Sequence, residues 1–391
     1  MENPEKKKSV LVCPLDWGIG HATRCVPVIR HFLDQGFRVV IGSERRPLAF
    51  LRREFPDLEF VKFPGTHIIY PKRSLMVLKM IIQGPKLLLG VRKEHKLLRK
   101  IIAEQEIDLV FSDNRYGLWS KEVPSIFMTH QLQINVPRYL GVFSRLVQRI
   151  NYNLIRKYDE CWVPDFESHK GLAGELSHPS CLPDHLHYIG PLSRFSGGIR
   201  QPGFREIPPF EILILLSGPE PQRTILEETL LGQLQHTDIK AVIVRGITER
   251  QEERKFSEHI RIYSHLESDI LQEYIRNALV VICRSGYSSI MDIVAMGKKA
   301  IFIPTPGQTE QMYLARYLMA KKIYFSMPQK DFDLIYALEM SKNYPGMVLE
   351  NDYNDLRVRI GEITRRIKNF AFRYLLTPYH KVYPCQHERD A

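Results

Sequence analysis

Short runs of Val, Ile, Leu and Phe alternate along the chain with stretches of helical periodicity. The runs lie at residues 9–15, 37–43, 58–64, 107–113, 125–130, 160–165, 211–218, 240–246, 260–265, 279–286 and 299–306. Continuous apolar runs are typical of parallel strands, because helices cover both faces of a parallel sheet. The alternation of strand and helix therefore predicts an α/β protein.

One segment interrupts this alternation. Residues 193–210 are rich in Gly, Pro and Ser and show no periodicity, and we interpret 193–208 as a linker. The predicted organisation is a Rossmann-like domain at 1–192, a second one at 209–365 and a tail at 366–391. Ligands of such sheets bind beyond the carboxyl ends of the strands, so two facing domains predict a site in the cleft between them.

Composition narrows the class of protein. The chain has 391 residues, 44% of them hydrophobic and 25% charged, which excludes a disordered, collagen-like or disulfide-stapled chain. Six cysteines without a C-x-x-C pair predict neither a zinc site nor a disulfide framework, and they fit a reducing compartment such as the cytoplasm. The 55 Lys and Arg against 44 Asp and Glu favour anionic partners.

The sequence predicts neither a signal peptide nor a membrane-spanning helix. The apolar stretch at the N-terminus is short and contains Pro14. The longest apolar region, 75–91, is interrupted by Lys79, Gln83, Pro85 and Lys86, whereas a spanning helix needs about 20 mostly apolar residues. We therefore expect a cytoplasmic protein, with the inner face of the membrane as an alternative location.

The first motif, at 13–36, is a strand, a turn containing Gly18 and Gly20, and a helix predicted over 21–35 and closed by Gly36. His21 would lie at the helix N-terminus and point into the cleft, where it can act as a general base. A dinucleotide fingerprint would need Gly at Thr23, although Glu44 keeps an NAD site open as an alternative. The other alternative is a plain turn with His21 as a cap.

The second motif, at 282–318, is a strand, a helix starting near 287–289, a second strand, and a helix that carries Glu310 and Gln311. Ser285 and Gly286 at a helix N-terminus predict an anion site of phosphate size. Asp292, further along that helix, is placed to bind ribose hydroxyls, and Glu310 with Gln311 suits a sugar. The alternatives are a solvated face for Asp292 and a capping role for Glu310.

Two weaker patterns complete the candidate chemistry. Ser217 and Gly218 end a strand and predict a second cradle of backbone amides facing the cleft. The acidic pair Asp331 and Asp333 precedes a helical run, and we interpret Asp331 as its N-cap and Asp333 as a first-turn acid, with a metal site as the alternative.

Taken together, the two motifs resemble those of GT-B glycosyltransferases, close to family 28. That group includes the peptidoglycan N-acetylglucosaminyltransferase with a lipid-linked acceptor and the plant galactolipid synthases. The stretch from Arg284 to Gln311 resembles the nucleotide-sugar signature, and DWGIGHATR resembles the acceptor-side loop. The chain departs from the family pattern at Pro219 and Glu220, where a glycine-rich turn is usual, and it lacks a triple-glycine N-terminal loop.

The resemblance implies a sugar transfer from a nucleotide-sugar, UDP-linked, to an acceptor hydroxyl. It implies no metal, no cofactor beyond the donor, and a C-terminal helix that returns to the N-terminal domain. We expect inversion, because the chain lacks the two glutamates seven residues apart beside the sugar-binding helix that would suggest a retaining family. His21 is the expected base and Asp16 the second choice. The expected donor site comprises Ser217, Gly218, Arg284, Ser285, Gly286, Ser288, Asp292, Glu310 and Gln311. The expected acceptor loop comprises Gly18, Gly20, Arg24, Asp113 and His130.

Two basic stretches lie in the N-terminal half. Residues 72–100 hold nine Lys or Arg and one Glu, and residues 138–157 hold five and no acid, interleaved with apolar residues. They fit a helix lying on an anionic leaflet, and thus a lipid-linked acceptor, or a core helix whose cations reach solvent. Nucleic acid is not an expected partner, because no recognised module is present. An epimerase or hydrolase of the same fold, a non-catalytic donor-binding subunit and an NAD-dependent enzyme stay open.

Overall fold

The computed structural model describes residues 7–65, 84–134, 144–168, 171–179, 185–196, 207–248, 252–349 and 355–370. The first part contains β1 (Ser9–Pro14), α1 (Ile19–Asp34), β2 (Arg38–Ser43), α2 (Arg45–Glu54), β3 (Glu59–Lys62), α3 (Gly84–Gln105), β4 (Leu109–Asp113), β5 (Ser125–Met128), α4 (Ser144–Ile155), β6 (Glu160–Val163), a 3₁₀ turn (Gly174–Leu176) and β7 (Leu186–Tyr188).

The second part contains β8 (Ile212–Leu215), α5 (Gln222–Leu234), β9 (Ala241–Val244), β10 (Glu253–Lys255), β11 (Ile260–Tyr263), α6 (Ser268–Asn277), β12 (Val280–Cys283), α7 (Tyr287–Ala295), β13 (Ala300–Phe302), α8 (Thr309–Ala320), β14 (Phe325–Ser326), a 3₁₀ turn (Gln329–Asp331), α9 (Leu334–Ser341) and α10 (Asp355–Phe370).

These strands form two seven-stranded sheets. The order is β3-β2-β1-β4-β5-β6-β7 in the first and β10-β11-β9-β8-β12-β13-β14 in the second. The strand pairs of the first sheet are parallel, and in the second only the β10–β11 pair is antiparallel. The predicted α/β fold with two Rossmann-like sheets is confirmed.

The topology itself marks two places for ligands. The strand order reverses between β1 and β4 in the first sheet and between β8 and β12 in the second. Crevices of doubly wound sheets open at the carboxyl ends of the strands at such reversals. Both predicted motifs, and the loop at Ser217 and Gly218, follow strands at these two positions.

Burial of both sheet faces explains the continuous apolar runs. In β1, Val10 and Val12 belong to the core cluster that also contains α1 residues, whereas Leu11 and Cys13 belong to a second cluster with residues of α3. Successive residues of a strand point to opposite faces, so a strand covered on both sides needs apolar residues throughout. All six residues of β1 are buried.

The eleven apolar runs are strands, and the described residues contain three further short strands that were not predicted, namely β7, β10 and β14. Those three have two or three residues each, and most of their residues are partly or fully exposed, so they lack the apolar signal. Asp333, and not Asp331, caps α9, because its side chain accepts a hydrogen bond from Tyr336 N at 2.7 Å. Asp331 lies in the preceding 3₁₀ turn.

Helix α10 packs against the first sheet. Arg359 donates from Nε to Glu160 Oε2 at 3.0 Å, and Arg366 reaches Glu160 Oε1 at 2.8 Å. Glu160 is buried at the start of β6 and also accepts from Trp162 Nε1 at 2.8 Å. One buried carboxylate on the N-terminal sheet therefore holds two cations of the last described helix.

Several expectations fall partly outside the described residues. These are the middle of the linker, the tail beyond residue 370, residues 72–83 and 138–143 of the basic stretches, and Cys181 and Cys385. The domain boundaries stay a prediction. No helix in the described part of the chain is both long enough and apolar enough to cross a bilayer.

Candidate active site

The site begins at the turn between β1 and α1. Helix α1 starts at Ile19, two residues earlier than predicted, and Gly18 precedes it with φ +148°, a conformation that favours glycine. A Cβ on Gly20 would lie 3.1 Å from Ser288 Oγ, and the Ser288 hydroxyl donates to Gly20 O at 2.8 Å. The absence of a side chain at Gly20 thus lets α7 of the second sheet approach this turn.

His21 lies in the first turn of α1 and faces the end of β4. Its Nδ1 is 3.0 Å from Asp113 Oδ2, and its side chain is 19% exposed. Pairing of β1 with β4 sets Pro14 level with Asp113, which brings the two side chains to one edge of the sheet. The helix has no side-chain cap, so the alternative of His21 as a capping residue is wrong.

The environment keeps His21 neutral. Burial lowers its pKa below the ordinary value of 6.5, and the charge of Arg24 lowers it further, whereas Asp113 raises it without reversing the shift. A neutral imidazole at neutral pH has one nitrogen with a lone pair, as a general base requires.

Arg24 binds Asp113 in a fork. Its Nε donates to Asp113 Oδ2 at 2.8 Å, and its Nη2 donates to Oδ1. Both side chains are buried, at 2% and 0% exposure. Burial opposes ionisation of Asp113, but the charge of Arg24 and the contact with His21 lower its pKa to about 2. Asp113 is therefore a fixed anion beneath His21.

Two groups compete for Nδ1 of His21. Asp113 accepts a hydrogen bond from a protonated Nδ1, whereas Arg24 Nη2, at 2.8 Å, donates to an unprotonated one. Only the tautomer with its proton on Nδ1 leaves Nε2 able to accept a proton. Asp113 is the partner that stabilises this active tautomer.

A second set of contacts joins residues that follow β5 to helix α8. His130 Nε2 lies 2.8 Å from Glu310 Oε1, and the Gln131 amide donates to Glu310 Oε2. The His130 ring stacks on Tyr287 with centroids 4.2 Å apart and planes at 9°. Burial raises the pKa of the Glu310 carboxyl, but His130 and Arg24 lower it by more. The pKa of Glu310 therefore lies below its ordinary value.

Asp292 faces the start of the predicted linker. Its Oδ1 accepts from the Ser193 hydroxyl at 2.7 Å, and Arg194 Nε lies 3.5 Å from Oδ2. Burial raises its pKa, against the opposing effect of Arg194. The Asp292 side chain is only 13% exposed, so the alternative that it lies on a solvated helix face is wrong.

The remaining donor-side residues surround the N-terminus of α7. The Ser285 hydroxyl donates to Gln311 O at 2.9 Å, and Gln311 Oε1 accepts from Thr305 N at 2.8 Å. Gly286 is the N-cap position and offers no side-chain cap, so no capping side chain takes up the first amides of α7. Ser217 and Gly218 follow β8, at the other strand of the same reversal.

The structure corrects two of the expected positions. Arg284 is wholly buried, and its guanidinium donates to the carbonyls of Gln222, Ile303 and Pro304, so it braces loops instead of lining the cleft. Asp16 belongs to a separate cluster: its side chain is 2% exposed, with Arg115 at 3.7 Å, and burial raises its pKa to about 6.

The buried positions of Asp113 and His130 also differ from the expected lining of an acceptor pocket. Asp113 is 0% and His130 4% exposed, so they lie beneath His21 and Glu310. Four residues in contact with the predicted ones were not predicted, namely Gln131, Tyr287, Ser193 and Arg194. Gln131 follows His130 after a strand end, which was an available signal, whereas the Ser193 and Arg194 contacts depend on the packing of the two halves.

Two family models match the chain. The glycosyltransferase family 28 C-terminal domain matches residues 222–343, and the glycosyl transferase family 1 model matches residues 14–133. The first range contains α7 and α8 with Asp292 and Glu310. The second contains His21, Arg24 and Asp113. The two groups of residues thus fall in ranges that match two glycosyltransferase models.

Curated glycosyltransferases are similar to parts of the chain. The chain is 27% identical over 165 residues to the UDP-N-acetylglucosamine–N-acetylmuramyl-(pentapeptide) pyrophosphoryl-undecaprenol N-acetylglucosamine transferase of Sulfurihydrogenibium sp. (strain YO3AOP1), a match that covers 41% of this chain and 42% of the relative. It is 24% identical over 320 residues to an uncharacterized glycosyltransferase of Methanosarcina acetivorans, covering 75% and 77%.

Solved structures share the architecture. The glycotransferase of kitacinnamycin superposes with a TM-score of 0.63 at 13% identity, covering 93% of this chain and 99% of its own. The spinosyn rhamnosyltransferase SpnG gives 0.60 at 14%, covering 92% and 96%, and Acinetobacter baumannii MurG gives 0.54 at 14%, covering 92% and 99%. At these identities the likeness establishes the fold.

Proposed function

We propose that this chain, which is a glycosyltransferase with the GT-B fold, transfers a sugar from a UDP-linked donor to an acceptor hydroxyl with inversion and without a metal. The observation that carries the proposal is the His21–Asp113 pair, with Nδ1 and Oδ2 3.0 Å apart. It lies at the strand reversal of the first sheet, facing α7 of the family 28 domain through the Ser288–Gly20 contact.

The reaction requires one proton transfer and one displacement. His21 Nε2 takes the proton of the acceptor hydroxyl, and the acceptor oxygen attacks the anomeric carbon from the face opposite the nucleotide. The bond between that carbon and the diphosphate oxygen breaks, so the diphosphate leaves with the electron pair. Asp113 stabilises the imidazolium that forms, because it is an anion held at hydrogen-bond distance.

The donor side supplies backbone donors for the leaving group. The free amides of the first turn of α7 carry the positive end of the helix dipole, which favours a diphosphate. The loop at Ser217 and Gly218 lies at the adjacent strand end. In this proposal Asp292 binds the ribose, and Glu310 with Gln311 binds the sugar.

The acceptor side suggests a lipid-linked substrate. Leu146 and Ile150 lie one turn apart on α4 and are 55% and 45% exposed, beside the exposed Arg145 and Arg149. Helix α3 adds a cluster of exposed cations at Arg92, Lys96, Arg99 and Lys100. Exposed apolar residues flanked by cations suit the interface of an anionic leaflet.

Transfer itself is the test. Radiolabelled UDP-glucose and UDP-N-acetylglucosamine are incubated with the protein, with and without a total lipid extract, and products are separated by butanol extraction. The proposal expects label in the organic phase that depends on both lipid and enzyme, and that is lost in His21→Ala. Equal release of free sugar without lipid would indicate a hydrolase, and a changed nucleotide-sugar would indicate an epimerase; either outcome contradicts the transfer.

A further inference from the structure

The oxygens of Glu310 are already occupied in the free protein. His130 Nε2 lies 2.8 Å from Oε1, and the Gln131 amide donates to Oε2. Both residues follow β5 of the first sheet, whereas Glu310 lies in the first turn of α8 beyond the second sheet. The two sides of the cleft thus meet through a carboxylate and two N–H donors.

The contact is fixed by its surroundings. His130 is 4% exposed, and its ring stacks on Tyr287. Arg24 Nη1 lies 3.0 Å from His130 Nδ1 and can only donate, so Nδ1 accepts and the ring proton lies on Nε2. His130 therefore donates to Glu310, and its orientation is set before any ligand binds.

Two donors on the two oxygens of one carboxylate reproduce the pattern offered by a pair of neighbouring sugar hydroxyls. A ligand that displaces these two donors has to supply two others, because the loss of a hydrogen bond to a charged group is costly. Glu310 is 34% exposed at its side chain, so a ligand can reach it from the cleft.

We propose that His130 and Gln131 are placeholders for two hydroxyl groups of the donor sugar. Sugar binding displaces them from Glu310, and a sugar is selected by its ability to replace both donors. The inference rests on the proposed function, since it assumes that the donor sugar binds at Glu310. It assigns to His130 and Gln131 a part in selectivity through competition, and not through contact with the sugar.

Competition and contact predict opposite effects of mutation. Gln131→Leu removes one donor while keeping the size of the side chain, and His130→Phe removes both ring nitrogens while keeping the stack on Tyr287. Each variant removes one of the protein donors that a sugar must displace from Glu310, which favours the bound state. Gln133→Leu is the matched control, because it changes a glutamine of the same loop whose backbone amide bonds to Leu176 O.

The experiment is calorimetric titration of wild type and these variants with UDP, UDP-glucose and UDP-N-acetylglucosamine. We expect Gln131→Leu to bind at least one UDP-sugar about tenfold more tightly than wild type, with UDP itself unchanged and the control like wild type. Weaker or unchanged UDP-sugar binding in both variants, with UDP binding intact, would overturn the placeholder role alone. Failure of the wild type to bind any of the three would instead contradict the proposed function and the inference with it.

Discussion

Replacement of His21 by alanine tests the chemistry of the base. General base catalysis contributes about 10²–10⁴-fold, so His21→Ala is expected to lower the rate of transfer by that factor. Binding of UDP should change less than about twofold, because the donor groups lie on α7 and α8. Stability should change little, since the Arg24 fork on Asp113 stays in place.

The pH dependence follows from the direction of the His21 shift. Its pKa lies below 6.5, so more than about 90% of the side chain is neutral at pH 7.5. The base form is the deprotonated one, so kcat/KM is expected to be flat above neutrality and to fall as the pH drops through the His21 pKa. The assay is initial rates of radiolabelled product formation from pH 5 to 9, with imidazole NMR titration of wild type and His21→Ala.

Two results would refute this reasoning. An NMR pKa for His21 above 6.5 would show that Asp113 outweighs burial and Arg24. A His21→Ala variant that transfers sugar at the wild-type rate would remove His21 from the chemistry, whatever its pKa.

Four further predictions follow from the buried charges and the surface. Arg24→Met leaves Asp113 buried without its cation, and it should lower the free energy of unfolding by about 3–5 kcal/mol in urea titrations; an effect below about 1 kcal/mol would contradict the fork. Arg284→Met leaves three carbonyls without a donor and should lower the free energy of unfolding by about 2–3 kcal/mol, while UDP still binds at low temperature; loss of UDP binding in the folded variant would indicate that Arg284 contacts the donor after all. Asp16 has a folded pKa of about 6 against an ordinary 3.8, so wild-type stability should fall by up to about 3 kcal/mol as the pH rises from 4 to 6, and Asp16→Asn should abolish that fall; parallel curves for the two proteins would disprove it. Leu146→Ser with Ile150→Ser should reduce co-sedimentation with vesicles containing phosphatidylglycerol, while neither protein binds pure phosphatidylcholine vesicles; unchanged sedimentation would exclude α4 from the membrane contact.

Much of the fold could be predicted because each inner strand of the two sheets is a continuous run of apolar residues. Strand β1 packs through Leu11 and Cys13 on one face and through Val10 and Val12 on the other. Its apolar run therefore predicts a buried strand even when the neighbouring strands are unknown. The edge strand β10 has three exposed residues, Glu253 to Lys255. It therefore has no apolar run from which its pairing with β11 could be predicted.

The candidate site was predictable at the level of loops and not at the level of contacts. The sequence predicted that His21 and Asp113 lie at one edge of the first sheet, because the carboxyl ends of parallel strands share one edge, and the pairing of β1 with β4 brings them together. The partners of these residues depend on which elements meet in three dimensions. Arg284 shows the limit: a charged residue at a strand end suggested a donor contact, yet its side chain turns inward to backbone carbonyls.

Nucleotide binding at the second sheet is the central claim, and calorimetry tests it most directly. UDP, GDP, TDP, CDP and NAD are titrated into wild type, Asp292→Ala and Ser193→Ala, the last of which removes a partner of Asp292 while keeping the carboxylate. The account predicts micromolar binding of UDP to wild type and Ser193→Ala, and its loss in Asp292→Ala. Absence of nucleoside diphosphate binding, or binding of NAD that the Asp292 substitution leaves unchanged, would contradict it.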